Sequence, residues 1–228
     1  AFPSQFGFEP CYVNSRLVSR GIPVSCEVDI YGALSEFIGI CISADAVTLL
    51  DINNSVPKYI YDEDIKGKYN YSLTDTFMGF HCGNTPECKM CSNRAVKYQL
   101  IQHRLLEPAG SDPDFTRGTL EGDIAASDVT FYRLQCDSEG TLRAYIAEGE
   151  ILDVPTRSFG GIGIFAIPEM GRFYRHVLVE KRYPHHGAVA FGHYGKLLFD
   201  LFRYLGIKDI GFNQPAGMLY PTENPFVK

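Results

Sequence analysis

Three of the six histidines in this 228-residue chain fall within one short stretch, RYPHHGAVAFGHYGKLLFD (182–200), as His185, His186 and His193. A neutral imidazole nitrogen suits Mn, Fe, Co or Zn, and it can also move a proton near neutral pH. Gly187, Gly192 and Gly195 mark the stretch as a tight turn leading into an apolar helix. Their spacing matches neither the P-loop nor the dinucleotide-binding pattern. Tandem histidines alone describe exposed or structural side chains equally well, so the question is which other residues meet them.

The acids at the start of the chain are the first candidates. In the segment SCEVDIYGALSEFIG (25–39), Glu27 and Asp29 stand two apart at the start of an expected helix. There a carboxylate is favoured by the free N–H groups and the helix dipole. Glu9 sits between Phe8 and Pro10, in FGFEP, a stretch too apolar for an ordinary solvated face. Two carboxylates and an imidazole make a hard, oxygen-rich site of the kind Mn²⁺ or Mg²⁺ accepts. Solvated, helix-capping acids are the plainer reading of the same residues. A third group, His81 and Cys82 with Cys88 and Cys91, has ligands enough for zinc but only one CxxC pair, where a zinc module usually shows two. Free thiols are the plainer reading there. No cysteine stands at a helix start beside a basic partner, the setting of a reactive thiolate.

The elements that must bring these groups together read as α+β. A short helix is expected over 11–20, a strand over IPVSC (22–26), and a helix over 29–43 that buries Ile30, Leu34, Phe37, Ile38 and Cys41. From 46 to 166, β-rich runs separated by Gly, Pro, Asn and Asp predict an antiparallel sheet or barrel, with a surface loop at 107–118. The last 60 residues are expected to return to helix, over 170–181 and over GKLLFDLFRYLG (195–206), where Leu197, Leu198, Leu201, Phe202 and Leu205 form the apolar face. A Pro-rich tail is expected to wrap over another surface. The fold class predicted is therefore mixed α+β, with a central antiparallel barrel-like region flanked by helices.

Composition narrows the function. A hydrophobic content of 45% and a charged content of 21% are those of a globular protein. The net charge of −6 and the lack of a basic stripe exclude nucleic acid as the main partner. No apolar run approaches the ~20 residues of a membrane helix. Residues 1–8 have no secretory-signal character, and seven scattered cysteines read as cytoplasmic thiols. The abrupt start reads as a piece of a longer protein.

The motifs together resemble a known family. PHHGAVAFGHYGKLLFDLFRYLG (184–206) resembles the C-terminal portion of L-fucose isomerase, SCEVDIYGALSEFIG resembles the segment that opens a helix with that family's metal-binding aspartate, and FGFEP resembles the segment bearing its glutamate. FHCGN (80–84) is similar to the segment carrying the additional site histidine of the related L-arabinose isomerases. The resemblance implies Glu9, Asp29 and His186 as metal ligands, Glu9 and Asp29 doubling as acid and base. It implies His81, His185 and Cys82 as substrate contacts, and Mn²⁺, or Co²⁺ or Mg²⁺, as the ion. The chain departs from the arabinose type in having Asp29 where a glutamate stands, and from the fucose type in its double histidine. The expected activity is aldose–ketose isomerisation of a free sugar such as L-fucose, L-arabinose or D-arabinose, in a homo-oligomer, a hexamer by resemblance. Residues 1–28 would end a preceding Rossmann-like domain, and 29–228 would form the C-terminal domain of a larger α/β enzyme. A metal-dependent sugar lyase or aldolase, a non-catalytic sugar-binding module and a zinc-stabilised domain are the competing classes.

Overall fold

The computed structural model describes residues 9–53, 55–81, 84–98 and 117–213. Nine strands are found among them: β1 (Val47–Asp51), β2 (Thr76–His81), β3 (Ala95–Tyr98), β4 (Arg117–Asp123), β5 (Ser127–Cys136), β6 (Leu142–Leu152), β7 (Gly161–Ala166), β8 (His186–Phe191) and β9 (Asp209–Asn213). The order β7-β2-β1-β8-β5-β6 returns to β7, so six antiparallel strands close into a barrel. β4 and β9 attach in parallel outside the ring, on β7 and β6, and β3 lies beyond β4. The main helices are α1 (Cys11–Val18), α2 (Ile30–Ser43), α3 (Met170–Tyr174, continued by a wider turn over Arg175–Glu180) and α4 (Gly195–Tyr204).

Side-chain alternation along the strands sorts two cores. Leu50, Phe77, Val129, Phe131, Tyr145, Ala147, Phe165 and Val189 share one core, joined by Phe173 and Val177 of the α3 segment. Residues of opposite parity, among them Val47, Leu49, Tyr132, Leu134, Ala188 and Ala190, pack with Ile38 of α2 and with Leu198, Phe199 and Phe202 of α4. The barrel and its flanking helices thus match the expected α+β class.

Several expectations are corrected. The stretch 22–26 is not a strand: Val24 N–H donates to the Glu36 carboxylate at 2.8 Å instead of to a ladder, and Cys26–Val28 forms a short helical turn. The β structure does not stop at 166, because HGAVAF forms β8 between β1 and β5. A short, continuous apolar run of small and branched residues is how a fully buried strand reads. Of the loop expected over 107–118, Arg117 and Gly118 begin β4, while 107–116 lie outside the described residues, as does the tail from 214.

α2 shows the largest departure. Ile30, Leu34 and Phe37, expected inside, are 69, 39 and 53% exposed, and Cys41 is exposed too, while Gly32, Ser35, Glu36, Ile38 and Gly39 are buried. The small residues let the helix approach the sheet closely. A Cβ on Gly39 would collide with the Tyr132 hydroxyl, which donates to Ser35 O at 2.7 Å. In α4 the buried positions are Gly195, Leu198, Phe199 and Phe202, while Leu197 and, just past the helix end, Leu205 are about half exposed.

Gly187 shows how tightly β8 fits. A Cβ there would strike the Phe131 ring and the Tyr145 hydroxyl, both inside the barrel. Gly187→Ala is expected to cost about 1–3 kcal/mol of overpacking, read by urea denaturation. An unchanged midpoint would mean that the Phe131 ring swings aside.

Candidate functional site

The histidine stretch lies at one end of the barrel because β8 is in register with β1. Asp51, the last residue of β1, stands directly opposite His186, the first of β8. Cross-strand partners on one face have Cβ atoms about 5 Å apart, so this pairing alone brings a carboxylate to an imidazole. Asp51 Oδ1 is 3.2 Å from His186 Nε2 and 3.7 Å from His185 Nε2.

Asp29 arrives from above, as the N-cap of α2. Its side chain accepts from Gly32 N–H at 2.8 Å, so Asp29 caps the helix as expected. His186 Nδ1 meets Asp29 Oδ2 at 2.9 Å. Arg133, on β5 and 2% exposed, grips both Asp29 oxygens with its guanidinium fork at 2.7 and 2.8 Å and donates to His186 O at 3.1 Å. Gln135 Oε1 accepts from the same guanidinium at 2.9 and 3.2 Å. Glu27 stands on the solvent side, its Oε2 3.5 Å from His186 Nε2. Glu27 and Val28 hold φ of 56 and 63°, a left-handed pair that is costly for a β-branched valine and typical of functional turns.

The electrostatics follow from these contacts. Burial pushes the Asp29 carboxyl up, but hydrogen bonds from His186 and Arg133 outweigh it and hold Asp29 well below the usual carboxylate range. The hydrogen bond to Asp29 and the Asp51 carboxylate beside it raise His186 to about 9 against its own burial. Behind this layer, Glu36 is fully buried on α2, and burial raises its carboxyl to about 8.

The expected residues divide. Asp29, His186, His185 and His81 meet at this end of the barrel; His81, 3% exposed at the end of β2, has its ring 5.9 Å from that of His186. Glu9 is buried just before α1, with its backbone against Gly118 of β4. It does not belong to the group of converging donors. Cys82 lies outside the described residues. Cys88 and Cys91 join no three-donor group among the described residues.

Asp51 and Arg133 were not anticipated. Their only sequence signals are an acid ending the apolar run AVTLLD and a lone arginine within VTFYRLQC.

Asp51, His185 and His186 can each offer one ligand atom within 4.8 Å of the others. Asp51 Oδ1 is buried without a well-aligned hydrogen bond, as expected of an oxygen available to a cation. One carboxylate oxygen and two imidazole nitrogens fit a divalent transition ion. Asp29, with both oxygens engaged by Arg133, is placed to orient His186 from behind. An open cleft of about 840 Å³ gives access, lined by Glu27, Asp29, Arg133, Gln135, Arg182 and His185 among others.

At one end of the closed antiparallel barrel, beside an open cleft, Asp51, His185 and His186 thus form a group of possible metal ligands. Comparison with protein families matches the L-fucose isomerase C-terminal domain over residues 79–211, and the chain belongs to that family. It is also similar to a sulfoquinovose isomerase from Alkalicoccus urumqiensis, 29% identical over 160 residues that make up 70% of this chain. Those residues span 30% of that protein's length. The family match takes in His81, Arg133, His185 and His186, while Asp29 and Asp51 precede it. No helix among the described residues is long and apolar enough to cross a membrane.

Proposed function

We propose that the full protein is a divalent-metal-dependent aldose–ketose isomerase acting on a free sugar, and that this end of the barrel is its site. The observation that carries the reading is the convergence of Asp51, His185 and His186 beside Asp29, in a chain of the fucose isomerase family. Mn²⁺, or Co²⁺ or Mg²⁺, held by Asp51, His185 and His186 would act as a Lewis acid toward charge developing on the sugar oxygens.

The chain's own groups handle the proton that moves between C1 and C2 through an ene-diol. Glu27 faces the cleft beside His186 and is open to solvent, so it is placed to take and return that proton. Asp29, held charged between Arg133 and His186, is a weaker base and fixes the imidazole's orientation. The resemblance gives Glu9 and Asp29 the acid–base and ligand roles instead; Glu27→Gln and Glu9→Gln compared side by side separate the two assignments. His185, which lines the cleft, and His81, its ring 5.9 Å from that of His186, would be the sugar contacts. The exposed stripe Val28, Ile30, Leu34 and Phe37, continuous with the cleft mouth, supports a homo-oligomer.

The test is an assay of the full-length protein with Mn²⁺ on L-fucose, L-arabinose and D-arabinose, with calorimetric Mn²⁺ titration alongside. Ketose formation is expected to disappear on chelation and in His186→Ala. Mn²⁺ affinity is expected to fall at least about tenfold in Asp51→Asn. Carbon–carbon cleavage products instead of a ketose would make the protein a lyase or aldolase.

A further inference from the structure

The cleft is lined by one guanidinium that its carboxylates do not engage. Arg133 is neutralised by Asp29, but Arg182, which lines the same cleft, has no hydrogen-bond or ion-pair partner among the described residues. Arg16 and Arg94 are paired with Glu87, Arg157 with Glu63 and Asp64, Arg172 with Glu169 and Arg175 with Glu180, while Arg20 and Arg143, which do not line the cleft, have no ion pair among the described residues either. Arg182 is also held in a costly backbone conformation, φ 54°. The next residue anchors that corner: Tyr183 is buried, its N–H donates to Val177 O at 2.9 Å, and the Arg143 guanidinium lies 4.5 Å from its ring centre. The strained corner keeps an unpaired guanidinium at the cleft.

Gln135 adds a second donor. Its Oε1 is fixed on the Arg133 guanidinium, so its amide NH₂ remains as the donor end of a side chain that lines the cleft. A guanidinium fork and an amide NH₂ match the oxygens of a sulfonate, phosphate or carboxylate far better than they match isolated hydroxyls.

We infer that Arg182, assisted by Gln135, recognises an anionic group carried by the sugar, so that the cleft selects an acidic aldose over a neutral one. This inference rests on the isomerase reading of the same site. The named substrate of the similar sulfoquinovose isomerase accords with it.

The experiment uses the full-length protein with Mn²⁺ and compares a hexose, its 6-sulfonate and its 6-phosphate as substrates. The alditol 6-sulfonate, which cannot isomerise, serves as a calorimetric probe. The ratio of kcat/KM for the sulfonated over the neutral hexose is expected to fall about 10- to 100-fold in Arg182→Ala. Arg182→Lys is expected to restore part of it, and Gln135→Ala to lose less than Arg182→Ala. Whichever of the 6-sulfonate and 6-phosphate shows the larger Arg182-dependent preference identifies the anion. A ratio that stays the same in Arg182→Ala overturns the inference and leaves the isomerase standing. Arg182-dependent binding of the alditol sulfonate with no ketose from any sugar upholds anion recognition and overturns the isomerase. Neither turnover nor Arg182-dependent binding overturns both.

Discussion

Arg133→Met is expected to destabilise the protein by about 3–5 kcal/mol, the usual cost of removing one partner from a buried ion pair. Arg133 is 2% and the Asp29 side chain 12% exposed, and the fork supplies two of the four hydrogen bonds on that carboxylate. Without it, Asp29 keeps only Gly32 N–H and His186, Gln135 Oε1 loses its donor, and His186 O is left with the Tyr145 hydroxyl at 3.5 Å as its side-chain donor. Turnover should fall with stability, because His186 is oriented by Asp29. Arg133→Lys should recover only part of both, since an ammonium cannot span the two oxygens. Urea denaturation gives the stability change. A loss under about 1 kcal/mol would mean that Asp29 is secured by its capping bond and His186 alone.

Glu36 sets the second large effect, and its sign is opposite to that of most carboxylates. Burial raises the folded-state carboxyl to about 8, against Val24 N–H and His81, which favour the charge. A carboxyl with a raised folded pKa binds its proton more tightly in the native state. Its contribution is therefore fully present below the unfolded value of about 4.5 and is lost as pH rises toward 8, a loss of about 4 kcal/mol across that range. His186, raised to about 9, adds a loss of the same sign between about 6.5 and 9. The metal-free protein is thus expected to be most stable in mildly acidic solution. Glu36→Gln isolates the Glu36 part: the variant should gain on the wild type steadily from pH 5 to pH 8 in urea melts. Parallel pH curves would show that Glu36 is ionised throughout and paired by a group that moves with it.

How far the sequence reveals this arrangement depends on the kind of signal each residue leaves. The barrel strands between 46 and 166 are visible as β-rich runs between turn residues, and the start of α2 is visible in its capping aspartate. The meeting of Asp29 and His186, 157 positions apart, is what the family resemblance of their segments implies. Asp51 and Arg133 are hidden because their roles come from pairing: Asp51 matters only once β1 lies beside β8, and Arg133 only once β5 lies beside that pair. The α2 misreading has a physical cause as well. Apolar periodicity marks Ile30, Leu34 and Phe37, whereas close packing on Tyr132 and Leu49 selects the glycines and serine of the opposite side.

The insertion of β8 between β1 and β5 also bears on how the chain is made. Until residues 186–191 leave the ribosome, β1 and β5 each present an unpaired edge where their common neighbour belongs. The β5–β6 hairpin can pair as soon as it emerges, but ring closure waits for a strand more than a hundred residues after β1. Pairing at that separation pays its loop-closure entropy late, and exposed edges in the interval are where strands from neighbouring nascent chains add on. Chains truncated before residue 186 should therefore aggregate through β1 and β5, and the last strand to be synthesised into the ring is also the one that brings His186.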